Sequence, residues 1–154
     1  SRLGDRRQKT PAPRDPRGAM ARIKALAEHI LKLAEFLDQE VSRGFDLNDM
    51  GQLMKFLHAL QLQAQALIDM AQRAAALMGE PTHSYVEAGV VLARKGVFAQ
   101  EDLRLYRAVV GFRNVLVHGY LSVDVLRVSQ ILAGREYRKL ADLALKILKA
   151  VGDP

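Results

Sequence analysis

The chain has 154 residues, with 23 Lys and Arg against 17 Asp and Glu, no Cys and no Trp. That length suits one domain able to bury a core without disulfides or metals. The missing cysteines exclude a disulfide scaffold, a Cys-ligated zinc or iron–sulfur site and a thiol nucleophile. No run approaches the roughly 18 apolar residues of a membrane span, and no apolar signal region follows the first residues, so a soluble, cytoplasmic protein is expected.

The net charge of +6 is spread unevenly. Within residues 1–18, Arg2, Arg6, Arg7, Lys9, Arg14 and Arg17 face only Asp5 and Asp15, which leaves 17 basic and 15 acidic groups on the other 136 residues. The body is nearly balanced, so its charge alone does not point to nucleic acid. Pro11, Pro13 and Pro16 fall within six residues in a stretch with little to bury, and residues 1–19 read as a basic, Pro-rich tail that is disordered or extended. It is either an arm that touches phosphates or a remnant upstream of a natural start at Met20. The second reading is favoured, because Ser1 is not an initiator and helical spacing begins at Met20.

Residues 20–151 form the expected domain, interrupted only by Pro81, with helical hydrophobic spacing throughout. Helix 1 is predicted over about Ala21–Ser42 and ends at Gly44. Asp46 or Asn48 caps a long helix 2, whose stripe runs from Met50 through Leu60 and Leu67 to Met78, with Gly79 just past its end and Pro81 forbidding continuation. Helix 3 spans about Ser84–Lys95 and stops at Gly96. Helix 4 runs from near Gln100 to about His118, before Gly119. Asp124 caps helix 5, which Gly134 breaks or bends on the way to Val151. No alternation of period two is sustained, so the expected fold class is all-α, an antiparallel bundle of four to five helices.

The sequence lacks a Gly-rich phosphate loop, a Walker lysine, a nucleophile elbow and HExxH. His29, His58, His83 and His118 do not have metal-site spacing, and neither metal nor cofactor is implied. Glu101/Asp102 and Asp46/Asp49 stand at helix starts, where carboxylates complement the dipole. Tyr85, Tyr106 and Tyr137 read as half-buried bundle residues, His29 and His58 as packed or edge histidines.

Helix 4 departs from a one-sided amphipathic pattern. At about 100° per residue, Leu105, Val109, Phe112 and Leu116 cluster on one side, and a second apolar group of Leu103, Tyr106, Val110 and Val117 lies roughly 120° further round. One bundle core needs one stripe, so the second implies a central helix or a subunit interface. The remaining wedge holds Arg104, Arg107, Gly111, Asn114 and His118, with Asn114 and His118 at i, i+4. Arg113 falls between the two apolar groups. Its permanent charge must snorkel, pair with an acid or line a cleft. His118 lies in the last turn, where the helix end favours positive charge, and imidazole is the side chain best suited to proton transfer near neutrality.

The stretch Arg113-Asn114-Val115-Leu116-Val117-His118-Gly119-Tyr120 resembles the R-x4-H-x-Y signature of HEPN domains, specifically HepT-type toxin–antitoxin ribonucleases. The resemblance covers about Ala21–Val151, including Ala59-Leu60-Gln61 and Ala66-Leu67-Ile68-Asp69 of helix 2, the Ser84-Tyr85-Val86-Glu87 helix start and the Val123-Asp124 turn. It implies a homodimeric, metal-independent endoribonuclease acting on RNA, possible tRNA included, with two motif copies facing across a cleft at the subunit interface. His118 would then transfer protons, Arg113 would stabilise charge on the phosphate, and Asn114 would orient His118 or the phosphate. Arg104 and Arg107 would extend the RNA-binding floor. The implied partner is a minimal nucleotidyltransferase antitoxin of the MntA type, which would add AMP to Tyr120. Leu57-His58 stands where such proteins often carry an acidic–basic pair, which removes helix 2 support for the site at that point.

Arg113 and His118 lie about 140° apart on an ideal helix. Either the turn loosens before Gly119, or Arg113 of one chain works with His118 of another. The other functional class that fits is a non-catalytic helical dimer serving as partner or substrate-binding subunit of a nucleotidyltransferase.

Overall fold

A computed structural model describes residues 15–152; the expected tail falls outside this range up to residue 14. The described residues form six α-helices: α1 (Pro16–Ser42), α2 (Met50–Leu77), α3 (Tyr85–Arg94), α4 (Gln100–His118), α5 (Val125–Ala133) and α6 (Arg138–Gly152), with a short 3-10 turn at Tyr120–Ser122.

Helix α1 starts five residues before the expected Ala21. Asp15 caps it by accepting from Gly18 N at 3.0 Å, and Pro16 fits the first turn, where its missing N–H is no loss. The proline cluster that suggested an extended tail therefore ends in a helix start. Asp49, rather than Asp46 or Asn48, caps α2 through Gln52 N at 2.9 Å, while Asp46 accepts from Asn48 N in the preceding turn. At the far end of α2, Gly79 takes φ 84°, and Glu80 N reaches Ala75 O at 2.9 Å. This left-handed closure satisfies carbonyls that the helix leaves open.

Helix α2 is the hub, packing against α1, α3, α4 and α6. Alanines at 59, 64, 66, 71, 74 and 75 are buried along it, and their small side chains let several helices approach it at once. Ile23, Ile30 and Leu37 of α1 are fully buried, and each contributes about 2 kcal/mol through apolar burial.

The predicted fifth helix is two helices. Between α5 and α6 the left-handed residue is Arg135, at φ 52°, and not Gly134. Arg135 is held there by Asp38 of α1 at 2.8 Å and by Ser42 Oγ at 3.0 Å. These contacts offset the local strain of a non-glycine in that region. Tyr106 and Tyr137 are fully buried, beyond the half-burial expected, whereas His29 and His58 are exposed.

Candidate active site

Helix α4 carries one broad buried arc rather than two separate stripes. Val109 and Leu116 are buried on one side, and Tyr106 and Val110 on the other. The second group is consumed within the chain. Gly89 of α3 sits directly against the Tyr106 ring, and the Tyr106 hydroxyl donates to Tyr85 O at 2.7 Å. Of that group only Val117 is exposed. The second stripe thus marks the α3 contact and is no evidence of a subunit interface.

Arg113 lies near the middle of this arc at its C-terminal end, half-buried between α2 and α3. Its Nε donates to Gln65 Oε1 at 2.8 Å, and its Nη1 donates to Asn114 Oδ1 at 3.2 Å. The guanidinium stands over the Tyr85 ring, 5.0 Å from the centroid, as a cation–π contact. No carboxylate among the described residues pairs with it. Three neutral groups fix the orientation of the cation and leave its charge uncompensated.

Helix α4 stays α-helical through His118, so the turn does not loosen before Gly119. Arg113 and His118 of one chain therefore leave the axis about 140° apart. Asn114 and His118 are exposed on the outer face together with Arg104, Arg107 and Gly111. Asn114 is joined to Arg113 rather than to His118.

Gly119 adopts φ 128° and ψ 145°, a backbone region in which a side chain is strained. The chain there leaves the helix and swings Tyr120 back onto α2, where its hydroxyl donates to Gln61 Oε1 at 3.5 Å. Gln61 and Gln65 are i, i+4 on α2, about 6 Å apart at their Cβ atoms. Tyr120 and Arg113 thus rest on adjacent turns of the same ridge.

A family model described as Ribonuclease HepT-like matches residues 26–147, which include the whole Arg113–Tyr120 string and most of every helix but the ends of α1 and α6. The chain belongs to the HepT-like ribonuclease family. No curated protein and no solved structure matches it.

In this HepT-like chain the residues that hold the arginine escaped the motif. Gln65 holds Arg113 and Gln61 holds Tyr120, but they are two of five glutamines on α2, and nothing in the sequence sets this pair apart. Leu57 is fully buried in the core and His58 is exposed, so that pair gives α2 no charged contact to Arg113. Arg104 and Arg107 border a shallow recess of about 190 Å³ with Gln100 and Leu103, about two to four turns before Asn114. Gly111 faces open space: a Cβ there would meet nothing within 4 Å. Among the described residues no helix is long and apolar enough to cross a membrane.

Proposed function

We propose that this HepT-like chain is an endoribonuclease toxin that cleaves RNA with Arg113 and His118 brought together from two copies of the chain. One observation carries the reading: Arg113 is a half-buried, oriented cation with no carboxylate partner among the described residues, as an anionic substrate requires. Such a charge, preorganised by neutral dipoles, gains strength when a phosphate enters and costs no reorganisation.

In the proposed reaction the ribose 2′-oxygen attacks phosphorus as its proton passes to an imidazole. The P–O5′ bond breaks and the 5′-oxygen leaves with a proton, giving a 2′,3′-cyclic phosphate and a 5′-hydroxyl. In a twofold assembly each Arg113 works with the other protomer's His118, and that single imidazole accepts the 2′ proton and then supplies a proton to the 5′-oxygen. Arg113 neutralises the crowded phosphoryl oxygens, and the free amide protons of Asn114 donate to the same group. The reaction needs no metal.

The dimer rests on two features. The 140° separation prevents one helix from aiming both side chains at one atom, and apolar side chains surround the motif on the outside. Val117, Leu121, Val125 and Leu126 are all exposed, Leu121 fully. Arg104 and Arg107 continue the positive track for RNA, whose binding is dominated by phosphate contacts. Tyr120 is the proposed acceptor of AMP from a minimal nucleotidyltransferase antitoxin. Its oxygen attacks the α-phosphorus of ATP and pyrophosphate departs. The added anion, one turn of α2 from Arg113, competes with RNA for that cation.

The test is cleavage of pooled RNA, tRNA included, in EDTA, with end-group analysis for the cyclic phosphate. Arg113→Ala and His118→Ala are each expected to lower the rate by about 10²-fold or more. Incubation with the nucleotidyltransferase and ATP should add AMP to wild type and not to Tyr120→Phe. Intact RNA after incubation with folded wild type would transfer the chain to the non-catalytic class, a binding subunit for the nucleotidyltransferase.

A further inference from the structure

A recess of about 520 Å³ opens between the last turns of α1 and the corner that joins α5 to α6. Asp38, Gln39, Ser42 and Arg43 line one side and Arg135 and Arg138 the other, so its lining is polar throughout. It takes no residue from α2, α3 or α4, which sets it apart from the Arg113 site.

Three guanidiniums and one carboxylate line this recess, a net charge of +2. Asp38 is shared by Arg135 at 2.8 Å and Arg138 at 2.9 Å. Arg43 reaches Glu40 at 3.0 Å, but Glu40 also serves Lys55 at 2.8 Å. Four cations thus divide two carboxylates, and Arg138 Nη1 and Arg43 Nη2 have no hydrogen-bond partner among the described residues. The end of α1 lies here, and bare helix carbonyls would repel an anion. Three of them are covered: Asp38 O accepts from Arg135 Nη1 at 3.2 Å, Gln39 O from Arg43 N at 3.3 Å and Val41 O from Gly44 N at 3.0 Å. The backbone gives a second indication. Arg135 is left-handed at φ 52°, directly after a glycine, and a glycine at 135 would take that conformation without strain. The strained position holds an arginine whose head is fixed at the recess by Asp38 and Ser42.

We propose that this recess binds a phosphate group, with Arg43 and Arg138 as charged donors and the Ser42 hydroxyl as a neutral one. Guanidinium donors match phosphate oxygens in geometry and charge. Donors from two sides of a recess suit a tetrahedral group better than a flat carboxylate. The excess positive charge receives the anion while Asp38 keeps both of its arginines. The phosphate belongs either to an RNA backbone or to a small phosphate compound. Only the first source rests on the reading of the chain as a ribonuclease. In that case the recess holds a phosphodiester outside the cleaved bond and adds one contact to a binding dominated by phosphates.

Inorganic phosphate is the probe, titrated into the isotopically labelled full chain while the arginine Nε–H signals are followed by NMR. Chloride and acetate at matched ionic strength are the controls. Saturable shifts of Arg43 and Arg138 are expected with phosphate alone. Arg43 has a side chain 76% exposed and stands outside the Asp38 clasp. Arg43→Gln should therefore weaken phosphate binding about tenfold, the worth of a charge-assisted hydrogen bond, with the melting temperature unchanged. An RNA oligonucleotide with methylated 2′-hydroxyls, which cannot be cleaved, assigns the source. RNA is the source if it displaces phosphate and if Arg43→Gln lowers the salt slope of its binding by about 1. A small phosphate compound is the source if RNA leaves the phosphate-shifted signals in place. Absence of saturation, equal shifts with chloride or acetate, or unchanged affinity in Arg43→Gln would each overturn the assignment. No readout requires cleavage, so failure here is distinct from failure of the ribonuclease reading.

Discussion

Arg113 Nε donates to Gln65 Oε1 at 2.8 Å, joining residues 48 positions apart in the chain. This bond ties the cation of the motif to the hub helix, because Gln65 belongs to α2 and α2 packs against four of the other five helices. Nε goes to that anchor and Nη1 to Asn114, and Nη2 has no hydrogen-bond partner among the described residues. Gln65→Leu keeps the volume and removes the acceptor. Its cleavage rate is expected to fall about tenfold, the order expected of a charge-assisted hydrogen bond, with the melting temperature nearly unchanged. Arg113→Lys should fare no better than Arg113→Ala, since an ammonium has no Nε fork to share between Gln65 and substrate. An unaltered rate in Gln65→Leu would show that the anchor does not position the arginine.

Much of this arrangement could be read from the residues. Helical period and the Gly and Pro stops placed α1 to α4 within about five residues, and the Arg113–Tyr120 string pointed to a candidate site at the end of α4. Two things were hidden for physical reasons. The second apolar group of α4 has the same spacing whether α3 or another subunit covers it, and Gly89 against Tyr106 decides the matter only in three dimensions. Gly134 signalled a break in the last helix, but the turn itself rests on Arg135 being held in a left-handed conformation by Asp38 and Ser42, which are more than 90 residues away. Gln61 and Gln65 carry no local mark of function, because their role comes from what α4 lays across them.

Cross-subunit pairing has a signature that pairing within one chain lacks. Mixing Arg113→Ala with His118→Ala chains, each inactive alone, produces hybrid dimers with one cleft drawing its intact Arg113 and His118 from different protomers. With random exchange half the dimers are hybrids, so about one quarter of wild-type activity should return. Separate inactive sites in every mixture would place both groups within a single chain's site, against the 140° geometry. Size measurement on the same samples checks that exchange has occurred.

Asp38 gives the fold an acid-sensitive clasp. Burial acts to raise its carboxyl, but hydrogen bonds from Arg138, from the Tyr137 hydroxyl at 2.5 Å and from Arg135 outweigh burial and hold its pKa down at about 2. A carboxyl depressed in the folded state adds stability above its unfolded pKa of about 3.9, and that stability is lost as pH falls toward the folded value. After allowance for solvent screening it is worth about 1 kcal/mol. Asp38→Asn is therefore expected to melt about 3 °C lower at pH 7, with the gap to wild type closing between pH 4 and 2. A gap of the same size at pH 2 would assign the loss to packing rather than to charge.

Gly89 shows how the core supports the site. A Cβ at that position would lie 2.7 Å from Tyr106 Cε2 and closer still to Cδ2, inside a fully buried ring. The better helix propensity of alanine, about 1 kcal/mol, is offset by overpacking of about 1–3 kcal/mol. Gly89→Ala should thus lower unfolding free energy by about 1 kcal/mol in denaturant titration. Because Tyr106 bonds to the backbone of Tyr85, whose ring lies under Arg113, cleavage should fall further than stability alone accounts for. A destabilised variant with full activity in its folded fraction would separate the two roles.

Gly111 is the reverse case. It sits mid-helix on the exposed face of α4, and among the described residues nothing would touch its Cβ. A glycine there weakens the helix by about 0.5–1 kcal/mol relative to alanine. Gly111→Ala is accordingly expected to raise unfolding free energy by that amount. If the bare backbone exists so that a second protomer or an RNA strand can approach, the same change should reduce cleavage, and Gly111→Leu should reduce it more while still folding. The two effects then point in opposite directions: a more stable protein that works less well. Gel filtration assigns the loss to the dimer if the variants elute as monomers, and to RNA contact if they do not. A Gly111→Leu protein with wild-type activity would show that this face of α4 meets neither.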